Sequence, residues 1–288
     1  MSRLIEKWVE TIERELPDYE KSLRCKTGLN FTGIAASANN LPYQAILDKT
    51  DTHSVAVVPI SSGKGLIGSF SSAVASIIRQ AGFHAFVTNC TDVDGMYEAY
   101  SQDAKLIFMA DDRRYAGFAL ETRRISDNNE ATARGFVHAL DAMCPDGVSD
   151  KKVLVMGCGI IGKLSADILL KKNAFPVFYD KPSIAEEISG CISDPREISN
   201  YQYIIDATNE GEWLKNDMLH NEVFISAPGV PLSLDHNALI KHEERLIHDV
   251  LHIGTLTMLG ELLSYSKCLR EVINDNPFVV SNRTINNS

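Results

Sequence analysis

The chain has 288 residues, with 28 basic against 38 acidic side chains and a formal charge of −10. An acidic surface excludes phosphate-backbone binding as the main task, because that needs basic groups to displace counterions. At 44% hydrophobic and 23% charged residues the chain is not wholesale disordered, and no apolar run approaches the roughly 18 residues that cross a bilayer. Met1–Lys7 lacks the apolar core of a signal segment. The expectation is therefore a cytoplasmic protein without nucleic-acid or membrane partners. Six cysteines are scattered with no CxxC pair, so they read as small buried hydrophobes and neither a disulfide framework nor a metal site is expected.

In chain order, Leu4, Ile5, Trp8, Val9, Ile12 and Leu16 recur at spacings of three and four and form one apolar helical stripe, which Pro17 is expected to end. From Ser54 onward, strand-like runs alternate with helical ones, the pattern of a parallel sheet. Strands are expected at 54–60, 84–88 and 105–109, with helices over 68–80 and 95–102 between them. After Asp111-Asp112, residues 126–143 read as one long helix, broken at Cys144-Pro145-Asp146-Gly147. A second series follows, with strands at 152–156, 176–179, 203–206, 223–226 and 246–248. The apolar spacing of Leu256, Leu259, Leu262 and Leu263 predicts a closing helix from Gly254 to about residue 273, ahead of a frayed Asn-rich tail.

The most informative motif is Gly157-Cys158-Gly159-Ile160-Ile161-Gly162, a GxGxxG run between a strand and a helix. The first glycine permits a tight turn, the second lets the backbone approach a pyrophosphate, and the third lets helix and strand pack closely. The helix start offers free N–H groups to phosphates. The next strand ends in Asp180, 18 residues past Gly162, where a carboxylate accepts bonds from ribose hydroxyls and repels a 2′-phosphate. These residues together point to a Rossmann-type site for NAD. The strand-end loops at Thr208-Asn209 and Pro228-Gly229 are expected to line the cofactor cleft, or to be plain turns.

Ser61-Ser62-Gly63-Lys64-Gly65-Leu66-Ile67-Gly68-Ser69-Phe70 holds a second GxGxxG, but its partner strand has no terminal acid and Lys64 is misplaced for a phosphate loop. It suits a substrate carboxylate or carbonyl, or is a tight turn. Asp111-Asp112 follows a strand at the ligand-binding edge of such sheets, as a proton acceptor or as a solvated loop. His248 and His252 are spaced i, i+4 without a glutamate or third ligand, so no metal is assigned to them. The fold class is α/β: an N-terminal helix and small α/β substrate domain (1–125), a connecting helix (126–147), a C-terminal Rossmann-type NAD-binding domain (148–253), and a closing helix and tail (254–288).

Beyond the dinucleotide fingerprint, the loop 58–70, Asp92-Val93-Asp94-Gly95, Met109-Ala110-Asp111-Asp112, Pro228-Gly229-Val230-Pro231 and Ile253-Gly254-Thr255 resemble the pyrrolysine-biosynthesis dehydrogenase family. The resemblance spans about residues 27–255. It implies an NAD-dependent enzyme acting on 3-methyl-D-ornithyl-N6-L-lysine, oxidising the terminal amine carbon with ammonia release and closure of the pyrroline ring. It also implies Ser61 and Ser62 as substrate-contacting hydroxyls, Phe70 as a wall, Asp111 as proton acceptor and Leu4 on a helix closing over substrate. Ile253 joins the cofactor side. The chain departs from the family pattern at Lys64, Asp249 and His252, where Asn, Glu and Gly are expected. A homodimer is carried as the expected assembly. Two other readings stay open: an NAD-dependent dehydrogenase of another amino acid or opine, and a non-catalytic NAD(H)-sensing protein.

Overall fold

A computed structural model describes residues 4–64, 66–186 and 188–264. The first elements are helical: α1 (Glu6–Val9), α2 (Ile12–Thr27), α3 (Phe31–Ser37) and α4 (Tyr43–Leu47). The apolar stripe is thus split at Glu10-Thr11, and Pro17 lies inside α2 instead of ending it. Proline removes one helical hydrogen bond, but Ile12, Leu16 and Leu23 are all buried along the same helix. Tertiary burial outweighs the lost bond.

The first sheet combines β1 (Val55–Pro59), β2 (Ala85–Val87), β3 (Leu106–Ala110), β4 (Tyr115–Ala119) and β5 (Arg124–Asp127) in the order β2-β1-β3-β4-β5. β1 pairs in parallel with β2 and β3, while β3, β4 and β5 run antiparallel. α5 (Phe70–Gln80) and α6 (Asp92–Ser101) connect the parallel strands. The β4–β5 hairpin is a correction to the sequence reading, which gave 126–143 to one helix. Ser126 and Asp127 belong to β5, and Asp127 caps α7 (Asn128–Met143) by accepting the Asn129 N–H at 2.9 Å.

The second sheet is wholly parallel: β6 (Lys152–Met156), β7 (Phe175–Tyr179), β8 (Tyr203–Asp206), β9 (Phe224–Ala227) and β10 (Leu246–His248), ordered β10-β9-β8-β6-β7. Every strand read from the sequence in this half is present to within a residue at each end. α8 (Ile160–Lys171), α9 (Pro182–Ala185) and α10 (His236–His242) join them, and α11 (His252–Leu263) is the last element among the described residues. The order reverses between β6 and β8, so the crevice outside their carboxyl ends is where such a sheet takes its ligand.

α7 and α11 form the layer shared by the two sheets. α11 is apolar on every side and buried at every position but Glu261, as a helix surrounded by protein must be. Small residues set its distances. A Cβ at Gly135 would come within 2.4 Å of Thr257 Oγ1, and one at Gly260 within 2.1 Å of the Ala35 carbonyl. The expected extension of this helix to residue 273, Cys268 and the Asn-rich tail lie outside the described residues. Cys144 and Cys158 are buried as expected, but Cys25 and Cys90 are exposed.

Candidate active site

One cleft of about 710 Å³ runs from the carboxyl edge of the second sheet to that of the first. At its dinucleotide end each glycine of the fingerprint has a distinct geometry. Gly157 turns the chain at φ +92, and a side chain there would strike the Ala207 carbonyl at 2.8 Å. A Cβ on Gly159 would meet nothing within 4 Å, which leaves open space in front of the α8 N-terminus. A Cβ on Gly162 would lie 1.9 Å from the Gly157 carbonyl, so helix and loop touch there. A turn, an open face and a close packing contact are what a pyrophosphate-binding loop requires, and the residues present fit a dinucleotide.

Asp180 follows β7 directly. Its Oδ2 accepts the Cys158 N–H at 2.7 Å and its Oδ1 the Lys181 N–H at 2.8 Å, which fixes the carboxylate beside the glycine loop. Across the loop, the fully buried Asp206 carboxyl is pushed up by desolvation, against the pull of Ser233 and Thr208. It accepts the Thr208 hydroxyl at 2.6 Å and amide at 3.1 Å, and also the Ser233 hydroxyl. This network holds the Ala207-Thr208-Asn209 loop against the cleft.

The other end is built by Leu4, by Leu66, Ile67 and Phe70 around the start of α5, and by the β3–β4 hairpin. Leu4, Phe70, Asp111 and Tyr115 line it, with the Phe70 and Tyr115 rings edge to face at 5.3 Å. Three carboxylates secure amides between β1 and α5. Asp92 accepts the Ser61 N–H and hydroxyl at 2.9 and 2.6 Å, Asp112 the Lys64 N–H at 2.5 Å, and Glu6 of α1 the Ser69 N–H and hydroxyl at 3.0 and 2.5 Å. The Ser61 donors that the sequence offered to a substrate are here satisfied by Asp92.

Asp111 sits in the β3–β4 turn. Its Oδ1 accepts the N–H groups of Arg113 and Arg114, both at 2.8 Å. These amides hold its carboxyl below the usual range. A general base gains from a drier site that raises its pKa; this conformation has the opposite, because the side chain is exposed and the hairpin stabilises its charge.

The cleft thus brings together Leu4, Phe70, Asp111, Gly157, Gly159, Ile160, Ile161, Asp180, Thr208, Asn209 and Pro228. Ser61 and Ser62 lie outside its lining, Gly162 serves the helix contact, and Ile253 is fully buried. His248 bonds the Ala227 carbonyl, and the buried His252 ring packs against Tyr19 with centroids 4.4 Å apart and planes tilted by 34°. The departure Asp249 receives the Tyr19 hydroxyl at 2.6 Å and caps Leu251. Sequence reasoning passed over Asn129, Thr132, Glu210 and Trp213, which also line the cleft. Asn129 and Thr132 stand just after the Asp127 cap, a signal hidden by the misplaced helix start; Glu210 and Trp213 fall in an irregular loop without a motif.

Residues 8–126 match the family model described as "Pyrrolysine biosynthesis protein PylD, N-terminal domain". A protein of Methanosarcina barkeri named "Pyrrolysine synthase" is 31% identical over 257 residues, covering 88% of this chain and 94% of that one. A namesake from Methanosarcina acetivorans is 30% identical over 268 residues, covering 91% and 100%. Among solved structures, a bifunctional 5,10-methylenetetrahydrofolate dehydrogenase/cyclohydrolase from Thermoplasma acidophilum is similar at 12% identity and a TM-score of 0.49, over 80% of this chain and 94% of that one. On the strength of the relatives, this chain belongs to the pyrrolysine biosynthesis PylD family.

Proposed function

We propose that this protein is an NAD-dependent dehydrogenase that carries out the final, ring-forming step of pyrrolysine biosynthesis on 3-methyl-D-ornithyl-N6-L-lysine. The observation that carries the reading is the single cleft joining a complete dinucleotide loop to a carboxylate and an aromatic wall, in a chain of this family. NAD, when bound, supplies the acceptor for a hydride from the substrate's terminal amine carbon. Gly157, Gly159 and the α8 N-terminus would hold its pyrophosphate, and Asp180 its adenosine ribose.

The remaining chemistry belongs to the chain and the substrate. Hydride leaves the carbon only after the amine nitrogen has lost a proton, which Asp111 would accept. The oxidised carbon is captured by the substrate's own α-amine, either directly with ammonia leaving or through an aldehyde with water entering and leaving. Two protons and one ammonium are released per hydride transferred. Closure is intramolecular, so Phe70, Tyr115 and Leu4 contribute by holding the chain bent and dry. The protein with NAD and the lysine–methylornithine adduct is expected to form NADH and ring product in equal amounts. NADH without ring product, or neither, overturns the assignment.

Two further outcomes follow. Asp180→Ala should weaken NAD by about tenfold or more, through lost ribose bonds, and narrow its advantage over NADP; an unchanged preference by calorimetric titration would remove Asp180 from that role. At the start of the N-terminal segment Glu6 binds Ser69, Leu4 lines the cleft and Ile5 is 48% exposed, whereas Val9, Ile12 and Leu16 further along are buried. Substrate with NAD should therefore slow amide exchange across residues 4–16. Equal exchange with and without ligand rules out a closing role.

A further inference from the structure

We infer that Glu210 is a cofactor-selectivity residue: it engages Lys181 and so denies a ribose 2′-phosphate its natural counter-ion. The inference rests on the dinucleotide reading above. A basic residue beside the ribose acid is the usual means of accommodating a 2′-phosphate, and Lys181 directly follows Asp180. From sequence alone that lysine weakens any preference for NAD. The structure gives it a partner: Lys181 Nζ lies 2.6 Å from Glu210 Oε2.

The position of the pair gives it this meaning. Lys181 follows β7 and Glu210 follows β8, the two strands that flank β6 and its glycine loop. Both residues line the cleft with Asp180. Their side chains are 69% and 55% exposed, and exposed ion pairs add little to stability. What the pair does alter is local charge. With Glu210 present, Asp180, Lys181 and Glu210 sum to −1 at the ribose end; without it they sum to zero, with a lysine free to turn toward a phosphate. The field of Glu210 also acts directly on a 2′-phosphate of charge near −2. An unphosphorylated ribose is indifferent to both effects.

Calorimetric titration of the full chain with NAD and with NADP tests this without recourse to turnover. Glu210→Gln is expected to strengthen NADP binding on the order of tenfold, with NAD affinity held within about twofold. The gain should shrink as salt rises. Glu210→Gln combined with Lys181→Met should lose most of the gain, because the gain runs through the freed ammonium. Unchanged NADP affinity in Glu210→Gln overturns the inference, as does a double variant that keeps the full gain or a single variant that loses NAD as well. A parent protein that binds neither dinucleotide overturns the reading beneath it instead.

Discussion

Asp111→Asn should slow single-turnover hydride transfer by about 10²–10⁴-fold, the usual share of a general base, while NAD affinity stays within about twofold. The hairpin survives the change, since an amide oxygen still accepts the Arg113 and Arg114 N–H groups that Oδ1 accepts now; only the charge is lost. An alkylammonium has a pKa of about 10 and an ordinary Asp about 3.9, and the two amides move Asp111 further from a match. A carboxylate held low is ionised throughout the neutral range. It therefore meets the substrate ammonium ready to accept its proton, and that transfer takes place inside the complex with no net exchange with solvent before hydride leaves. log kcat/KM should then stay level between about pH 5 and 8, with no break from Asp111 in that window. A break in that window would mean that closure strips the amides from Oδ1 and lifts its pKa. Asp112→Asn keeps an acceptor for the Lys64 N–H and should cost no more than a few-fold. If it is the variant that stops hydride transfer, the base has been misassigned.

The second sheet was legible in the sequence because its inner strands β6, β8 and β9 are largely buried on both faces and read as apolar runs, Val153-Leu154-Val155-Met156 above all. The hairpin β4–β5 was not. Gly117 and the charged stretch from Glu121 to Arg124 break the alternation that marks a strand, and the pairing is fixed by β3 beside it. Pro17 misled for a related reason: local propensity was right about the lost hydrogen bond, but Leu16 and Leu23 are buried on either side of it. At the candidate site Gly157, Gly159, Asp180, Thr208, Asn209 and Pro228 reached the cleft on loops at the carboxyl ends of their strands. Ser61 did not, because Asp92, an acid 31 positions away, takes both its donors. No spacing rule reports such a partner. The same holds for Glu210, whose meaning comes only from the ammonium it meets.

Gly159→Ala and Gly162→Ala should both cost dinucleotide affinity, by about tenfold or more, yet only the second should cost stability. At Gly159 the backbone is extended, with φ −72 and ψ −168, a conformation alanine adopts freely, and the new Cβ meets nothing within 4 Å. Thermal stability should then hold or rise by about 0.4–1 kcal/mol, through reduced freedom of the unfolded chain. The methyl group would instead stand where a pyrophosphate must approach. At Gly162 the Cβ lies 1.9 Å from the Gly157 carbonyl oxygen and 3.4 Å from Val155 Cγ1. Neither can yield alone: the first is backbone in the tight turn and the second is a β6 side chain in the core. α8 must lift from the sheet, costing about 1–3 kcal/mol, or roughly 2–4 °C in Tm per kcal/mol for a chain of this size. Its N-terminal amides move with it, so affinity falls by displacement of the donors and not by obstruction. Thermal melts beside NAD titrations separate the two causes. Gly159→Ala binding NAD as tightly as the parent would mean that no pyrophosphate lies against this loop, and the dinucleotide assignment would fall with it.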